Sequence, residues 1–498
     1  MIALGGAIGT GLFLGTGRSL AAGGPGTMLV CYTLTGFIVY ITLLLLGEMS
    51  TQYPVAGSFT SYATRFIGDA YGFALSWNYW LNDAVSVASD LTAAQLILDF
   101  WRVRIPGWVV SLTIFLTLVS ANAIHVKVYG ELEYWLSSLK IITVLIFIIT
   151  GTLVDGGLNR EHKPIGFVNW TIGDAPFVGG LAGFATVFVA AAMSYGGTES
   201  LAISAGETRD PTRTIPRVVR TVFFRIVIFY LLTCVIIGLN VPYTYPNLSN
   251  KTTTTSPFTI VFTLAGSNIA ASLMNTVMLS TVLSAGNHAL FAGTRILYSL
   301  AKSKQAPKIF ARTSKKGVPW VALLATSSGS ALCFTTSTIG KGELWFWLQN
   351  LVGVSNQIAW LSIGIASWRF RKAWQLQGHP LNELHFHPRW TTTWGPPFVV
   401  FSVLMIMMVQ TYSVTIPRFV LVDFLSLYLQ VPMFFIFYFG WKLWRGSKTV
   451  DLKTVDIQAD QYKADSETQA FLDEEEAHRQ ARIHGNRGWL WTMYYWLV

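Results

Sequence analysis

Long apolar runs separated by short polar stretches fill most of the chain. They fall near residues 1–22, 27–47, 70–100, 107–124, 131–154, 176–202, 218–240, 268–300, 319–338, 344–368, 394–413 and 419–443. A helix crosses the hydrocarbon core with about 20 apolar residues, so the pattern predicts an all-α membrane protein of about twelve transmembrane helices, forming one domain over residues 1–443. A further apolar stretch at 257–266 reads as a re-entrant or surface helix ahead of the eighth span. Residues 444–498, charged in the middle and aromatic at the end, read as a solvated cytoplasmic tail whose tip rests on membrane or protein.

Composition sharpens this picture. Of 498 residues 52% are hydrophobic and 12% charged, against roughly 25% charged in soluble domains. The net charge of +10 does not point to nucleic acid, because the basic residues lie in short loops and build no basic domain. Arg209, Arg213, Arg217 and Arg220 follow the sixth span. Lys302, Lys304, Lys308, Arg312, Lys315 and Lys316 follow the eighth, and Arg369, Arg371, Lys372 and Arg389 the tenth. Loops after even-numbered spans and the C-terminal tail are therefore predicted to be cytoplasmic. Independently, the sequons at Asn169, Asn247 and Asn250 all follow odd-numbered spans, on the predicted outer side where glycosylation occurs. Cys31, Cys234 and Cys333 sit inside apolar segments and read as packing residues, neither a disulfide framework nor a metal site. The opening apolar stretch has no basic n-region, so it reads as a span and not as a cleaved signal peptide.

Two spans carry glycines and hydroxyls where a helix would suffer most: GGAIGTG at residues 5–11 and MSYGGTES at 193–200. One such span reads equally well as close helix packing through small residues. A pair, in spans one and six, matches the opening helices of two inverted five-helix repeats, whose sites lie at the midplane. Unwound backbone at membrane depth survives where it is buried or lines a cavity, and there it offers N–H groups to an anion and carbonyls to a cation. A phosphate loop is excluded, since neither the Lys of that motif nor a preceding strand is present.

Five strings occur in order at the expected boundaries: MIALGGAIGTGLFLGTG, PVAGSFTSYATRF, YGGTES, GETRDPTRTIPR and GTRILYSLAKSKQAPKIF. With them the sequence resembles fungal amino-acid permeases of the amino acid-polyamine-organocation superfamily over nearly all of the membrane region. The resemblance implies a LeuT-like fold of two inverted five-helix repeats plus two C-terminal helices. It implies a plasma-membrane importer of amino acids by proton symport, with no cofactor besides the coupling proton. Carried onto this sequence, Ala7, Ile8, Gly9, Thr10 and Gly11 form the first half of a substrate site and Ser194, Tyr195, Gly196, Gly197 and Thr198 the second. The substrate carboxylate is expected at the first break and the ammonium at carbonyls of both. The family has a cytoplasmic segment ahead of its first span, and this sequence starts at Met1 inside that span.

Ionisable residues at membrane depth are costly and mark function by default. Asp83 and Asp90 lie seven residues apart, near one helix face. Asp90 matches the family's usual acidic residue, whereas Asp83 stands where a bulky apolar residue is usual; the added negative charge favours cationic substrates such as lysine, arginine or a polyamine. Lys140 matches a lysine that some superfamily members carry where sodium-coupled relatives bind sodium, and is a candidate for the coupling proton. Its other reading is a standing ion pair with an acidic neighbour such as Glu133. Glu199 either relays protons or caps the resumed helix. His288, beside Asn287 in span eight, is a candidate for selectivity or for a helix–helix hydrogen bond. Trp77, Tyr79, Trp345 and Trp347 are candidates to close the site, but most of them read as interfacial anchors and not as ligands. His379, His385 and His387 lie in a cytoplasmic loop without cysteines, and read as chance or a weak metal site sooner than as catalysis.

Other function classes fit less well. A membrane enzyme needs a catalytic constellation, and neither G-x-S-x-G nor H-E-x-x-H is present. A channel needs a filter sequence rather than paired broken helices. A non-transporting nutrient sensor of the same fold stays open, as does a polyamine or other small-solute permease. The expected partners are a small amino-acid substrate and membrane lipid, with no nucleic acid; oligomeric state is left open.

Overall fold

The structure, a computed structural model, describes residues 9–55, 57–101, 105–124, 126–199, 210–246, 248, 256–315, 317–415 and 419–462. Among these the secondary structure is helical, with no strand. In chain order the helices are α1 (Thr10–Phe13), α2 (Gly15–Gln52), α3 (Ser58–Phe66), α4 (Asp69–Leu98), α5 (Gly107–Ile124), α6 (Val126–Asp155), α7 (Gly180–Ser194), α8 (Pro211–Arg225) and α9 (Thr233–Asn240). Then follow α10 (Pro257–Leu264), α11 (Asn268–Lys302), α12 (Trp320–Ser328), α13 (Thr336–Ile339), α14 (Lys341–Leu376), α15 (Gly395–Thr415), α16 (Leu421–Tyr428) and α17 (Gln430–Arg445). By length and composition five segments suffice alone to cross a membrane: Gly15–Gln52, Glu133–Asp155, Pro211–Asn240, Ile269–Lys302 and Gly395–Tyr412. The pair α16 and α17, bent by 44°, makes a sixth.

Local chemistry sets the boundaries. Pro211 opens α8 and the Asp210 carboxylate accepts from the Arg213 N–H at 3.3 Å, while Ser267 Oγ caps α11 by accepting from the Ala270 N–H at 3.0 Å. The predicted boundary between spans one and two falls inside α2, at Gly24, whose φ of 75° and ψ of 175° interrupt the helix just before Pro25. A Cβ on Gly24 would lie 2.8 Å from the Pro176 carbonyl oxygen, so sterics and backbone angle both require glycine. The predicted seventh span is one helical run, Pro211–Asn240, with a wide π segment at Ile226–Leu232 joining α8 to α9.

The centre of the bundle is α4, which packs along α11 and α14, while α2 packs along α7. That position explains its sequence. Asn78, Asn82, Asp83, Ser89, Asp90, Thr92 and Gln95 are all buried, since α4 faces protein on most sides and lipid on few. The three cysteines are free and buried, as packing residues would be.

Two expectations are corrected. The 257–266 stretch is no surface helix: residues 257–262 of α10 are buried, Phe258 packs on Phe13 and Phe147, and Ser256 Oγ donates to the Phe13 carbonyl at 2.7 Å. It therefore caps the first span. The start of the tail, though largely exposed, is not free of the protein. Residues after α17 run across the predicted cytoplasmic face, where Tyr53 Oη donates to Ile457 O at 2.6 Å, Arg369 Nη2 to Val450 O at 2.6 Å and Gln377 Nε2 to Val455 O at 2.8 Å. Arg65 pairs with Asp460, and Ile457 is buried. Backbone carbonyls met by long polar side chains hold this segment, which composition does not reveal. The tail's charged middle and aromatic tip, from residue 463 on, lie outside the described residues.

The same face carries a buried ionic clasp. Arg371 donates to both oxygens of Glu48, at 2.9 and 2.7 Å, and through Nη1 to the carbonyls of Thr391 and Thr392, both at 2.9 Å. His387 Nδ1 lies 2.9 Å from the same carboxylate. Removing one partner strands a buried charge, at a cost of about 3–5 kcal/mol. We expect Arg371→Met to lower the thermal unfolding midpoint markedly in detergent, and Glu48→Gln combined with Arg371→Met to recover part of the loss. Equal midpoints for wild type and Arg371→Met would show that the clasp contributes nothing.

Candidate functional site

Where the two predicted interruptions fall, the described residues 9–14 and 194–199 face each other. Helix begins at Thr10, after the extended Gly9, and α7 ends at Ser194 in a turn through residues 195–197. Ser194 Oγ lies 2.9 Å from the Gly11 carbonyl and Tyr230 Oη donates to the Ser194 carbonyl at 3.1 Å. Side chains thus satisfy two backbone groups that the interruption frees. A Cβ on Gly11 would lie 2.8 Å from Ser194 Cα, and one on Gly196 would lie 2.1 Å from Asn356 Nδ2. Glycine sets how closely the two breaks approach.

A cavity of about 710 Å³, counting its opening to solvent, lies beside the crossing. Its walls include Gly9, Thr10, Gly11, Ser194, Gly196, Gly197, Asp83, Asp90 and His288 among the residues singled out from sequence. Four others stand behind the wall. Tyr195 is fully buried, stacked on Tyr230 at 4.1 Å between ring centroids, and donates to the Tyr32 carbonyl at 3.1 Å; its role is to lock the break. Thr198 is buried beside it. Glu199 accepts from Tyr79 Oη at 2.9 Å and from Trp360 Nε1 at 3.0 Å. Lys140 donates to Ser284 Oγ at 2.7 Å, and Ser284 lies 2.8 and 2.9 Å from the two oxygens of Glu133. A serine thus stands between lysine and carboxylate, and Asp90 is the second acidic neighbour of Lys140.

The two aspartates differ in their surroundings. Asp90 has Thr10 and Lys140 close by. Asp83 has neither hydrogen bond nor ion pair among the described residues, and its Oδ2 is buried. The neighbouring amide oxygen of Asn82 also lacks a partner.

Ala7, Ile8, Asn247 and Asn250 lie outside the described residues. Asn169 does not suit glycosylation in this fold: it is buried and its Nδ2, the atom a glycan would occupy, donates to Leu239 O at 2.6 Å. Asn287 faces away from the cavity walls and accepts from Asn122 at 2.8 Å.

Sequence reasoning missed Gln349 and Asn356, and it read Tyr79, which is buried on the cavity wall, chiefly as an interfacial anchor. Tyr79 was legible, because Tyr79, Asp83, Ser86 and Asp90 recur at helical spacing and all four line the cavity. Gln349 was not. It reaches across from α14 to donate to Thr10 Oγ1 at 3.1 Å and to Ser89 Oγ at 2.9 Å, and nothing in a lone glutamine announces such partners.

Comparisons with known proteins identify the family. Residues 1–453 match the Amino acid permease family. A probable amino-acid permease of Schizosaccharomyces pombe is 43% identical over 477 residues, covering 92% of this chain and 93% of that protein. The lysine-specific permease LysP of Escherichia coli is 43% identical over 456 residues, covering 90% and 93%. Among solved structures, a mutant of the Eremococcus coleocola manganese transporter superposes with a TM-score of 0.54 at 12% identity, covering 89% of this chain and 92% of that one; this likeness concerns the fold alone. With paired helix breaks around one cavity and relatives of such extent, the chain belongs to the amino acid permease family.

Proposed function

We propose that this permease imports amino acids by proton symport across the plasma membrane, with a preference for basic ones. In this reading it has twelve spans, as two inverted repeats of five plus two, with the arginine-rich loops inside. The substrate carboxylate meets N–H groups where helix starts at Thr10, and the α-ammonium meets carbonyls at the end of α7. The preference rests on one observation: Asp83 is a buried carboxylate on the cavity wall that no described residue pairs. An isolated charge in such a place is strongly unfavourable, and a lysine or arginine side chain supplies the missing cation. A lysine-specific relative at 43% identity is consistent with that.

Proton coupling is assigned to Lys140. Its ammonium has Glu133 and Asp90 as acidic neighbours, and Ser284 links it to span eight. Loss of its proton would weaken the hold between α6 and α11 beside the break at Thr10. Protonation from outside and release inside then couple the proton gradient to the alternation of the two breaks.

Three outcomes test this reading. In permease-deficient cells, saturable lysine uptake should be several-fold faster at acidic than at neutral external pH, and Lys140→Met should abolish that ratio; a ratio near one in the wild type would sink symport. Asp83→Asn should lower the preference for lysine over leucine by at least about tenfold, equivalent to about 1.4 kcal/mol, and an unchanged preference would remove Asp83 from selectivity. Gly11→Val should abolish uptake of both amino acids at undiminished surface expression, since its side chain enters the crossing of the breaks; retained uptake would mean that the crossing is not where substrate binds.

A further inference from the structure

The ionic clasp at the predicted cytoplasmic face holds more than an ion pair. Glu48, near the end of α2, is wholly buried, and its two oxygens accept from Arg371 of α14. Its Oε2 also lies 2.9 Å from His387 Nδ1, and the other ring nitrogen, Nε2, lies 2.8 Å from Thr392 Oγ1. The His387 side chain is more than nine-tenths buried, so protein atoms must satisfy it. An ionised carboxylate can only accept. The Thr392 hydroxyl has one proton, which it donates to the Arg389 carbonyl at 2.6 Å, leaving its lone pairs to face His387. Both ring nitrogens therefore meet acceptors, whereas a neutral imidazole has a single N–H. A neutral His387 must give up either the bond to Glu48 or the bond between Thr392 and Arg389; the imidazolium keeps all three. Charged and titratable groups reach this ring from each element around it. Glu48 comes from α2 and Arg371 from α14, and the loop itself adds Arg389, through its carbonyl, and His385, whose N–H donates to Gln52 Oε1 at 3.4 Å. Helix α8 meets the loop through Val219, beside Gly47 and Phe386, and no ion pair joins its Arg217 or Arg220 to the clasp among the described residues.

We propose that His387 is a proton-operated catch on this face: protonated, it closes the clasp that ties α2, α14 and the 385–392 loop together, and without its proton it lets the loop part from α2. Histidine is the side chain whose charge ordinarily changes near neutral pH. Because the charged ring makes the full set of bonds, protonation and closure favour each other. The hold is complete at acidic pH and weakens as pH rises. A proton symporter acidifies the compartment it delivers into, so the catch slows the carrier when that compartment turns acid. This last consequence rests on the proton-symport reading; the catch itself does not.

Thermal unfolding of the purified full chain in detergent tests the catch, at about pH 6 and about pH 8, on either side of the range in which histidine titrates. Comparing the wild type with His387→Gln cancels every other titrating group. The wild-type midpoint should exceed that of the variant clearly at the acidic pH and by much less at the alkaline one. Thr392→Val, which leaves Glu48 and the imidazole in place, should give the same pattern in milder form and carries the comparison alone if His387→Gln does not fold. A margin equal at both pH values would make His387 a merely structural residue and overturn the catch. In proteoliposomes with one pH on both sides, lysine exchange by His387→Gln should be several-fold faster than by the wild type at the acidic pH and equal to it at the alkaline one. A ratio of the two rates that does not move with pH would overturn the control of transport. Should neither chain exchange lysine or any other amino acid while the unfolding margin still depends on pH, the permease reading would fall and the catch would stand.

Discussion

Broken helices persist at membrane depth only if the backbone groups they release find partners, because lipid offers none. Here part of that demand is met between the two breaks and part by the seventh span. Ser194, the last residue of α7, brings its hydroxyl within 2.9 Å of the Gly11 carbonyl, and Tyr230 donates to the carbonyl of Ser194 itself. The close approach of Gly11 to Ser194 fixes where the two interrupted spans cross. That crossing places Asp83, Asp90 and His288 around one space, since α4 and α11 pack against the same point.

Around this centre the intramembrane charges fall into two groups. Glu48, Arg371 and His387 are matched to one another, as Glu133 and Lys140 are matched through Ser284. Burial without pairing is costly, and these sets conform to that rule. Asp83 does not: it is buried and lacks an ion partner among the described residues. It lies on the cavity wall with Asp90, which has Lys140 and Thr10 close by. The two aspartates of α4 thus share one space with unlike surroundings.

Much of this was readable from the sequence, for identifiable reasons. Apolar runs gave the order of the helices, because lipid imposes a hydrophobic length. GGAIGTG and MSYGGTES exposed the breaks, because glycine in a helix has a conformational cost that needs a reason. Features that depend on long-range side-chain reach stayed hidden. Gln349 bridging Thr10 and Ser89, and Tyr53 and Arg369 gripping tail carbonyls, join residues between 81 and 404 positions apart. Tyr195 was read as a ligand because it sits inside the break, yet its ring turns inward to stack on Tyr230. Asn169 fits a sequon but not the accessibility that glycosylation needs.

The turn at Gly24 and Pro25 has a mechanical meaning. No loop separates the first two spans; a single glycine with a left-handed backbone joins them, and the Gly26 N–H is held by the Pro176 carbonyl. With no loop at the elbow, the angle between the two arms is set at Gly24 and by its seat against Pro176. One arm leads back to Gly11 at the crossing, and the other ends at Glu48 and Tyr53, which grip the opposite face of the protein. The crossing and the ionic clasp are thereby tied to the two ends of one V whose apex is a single residue.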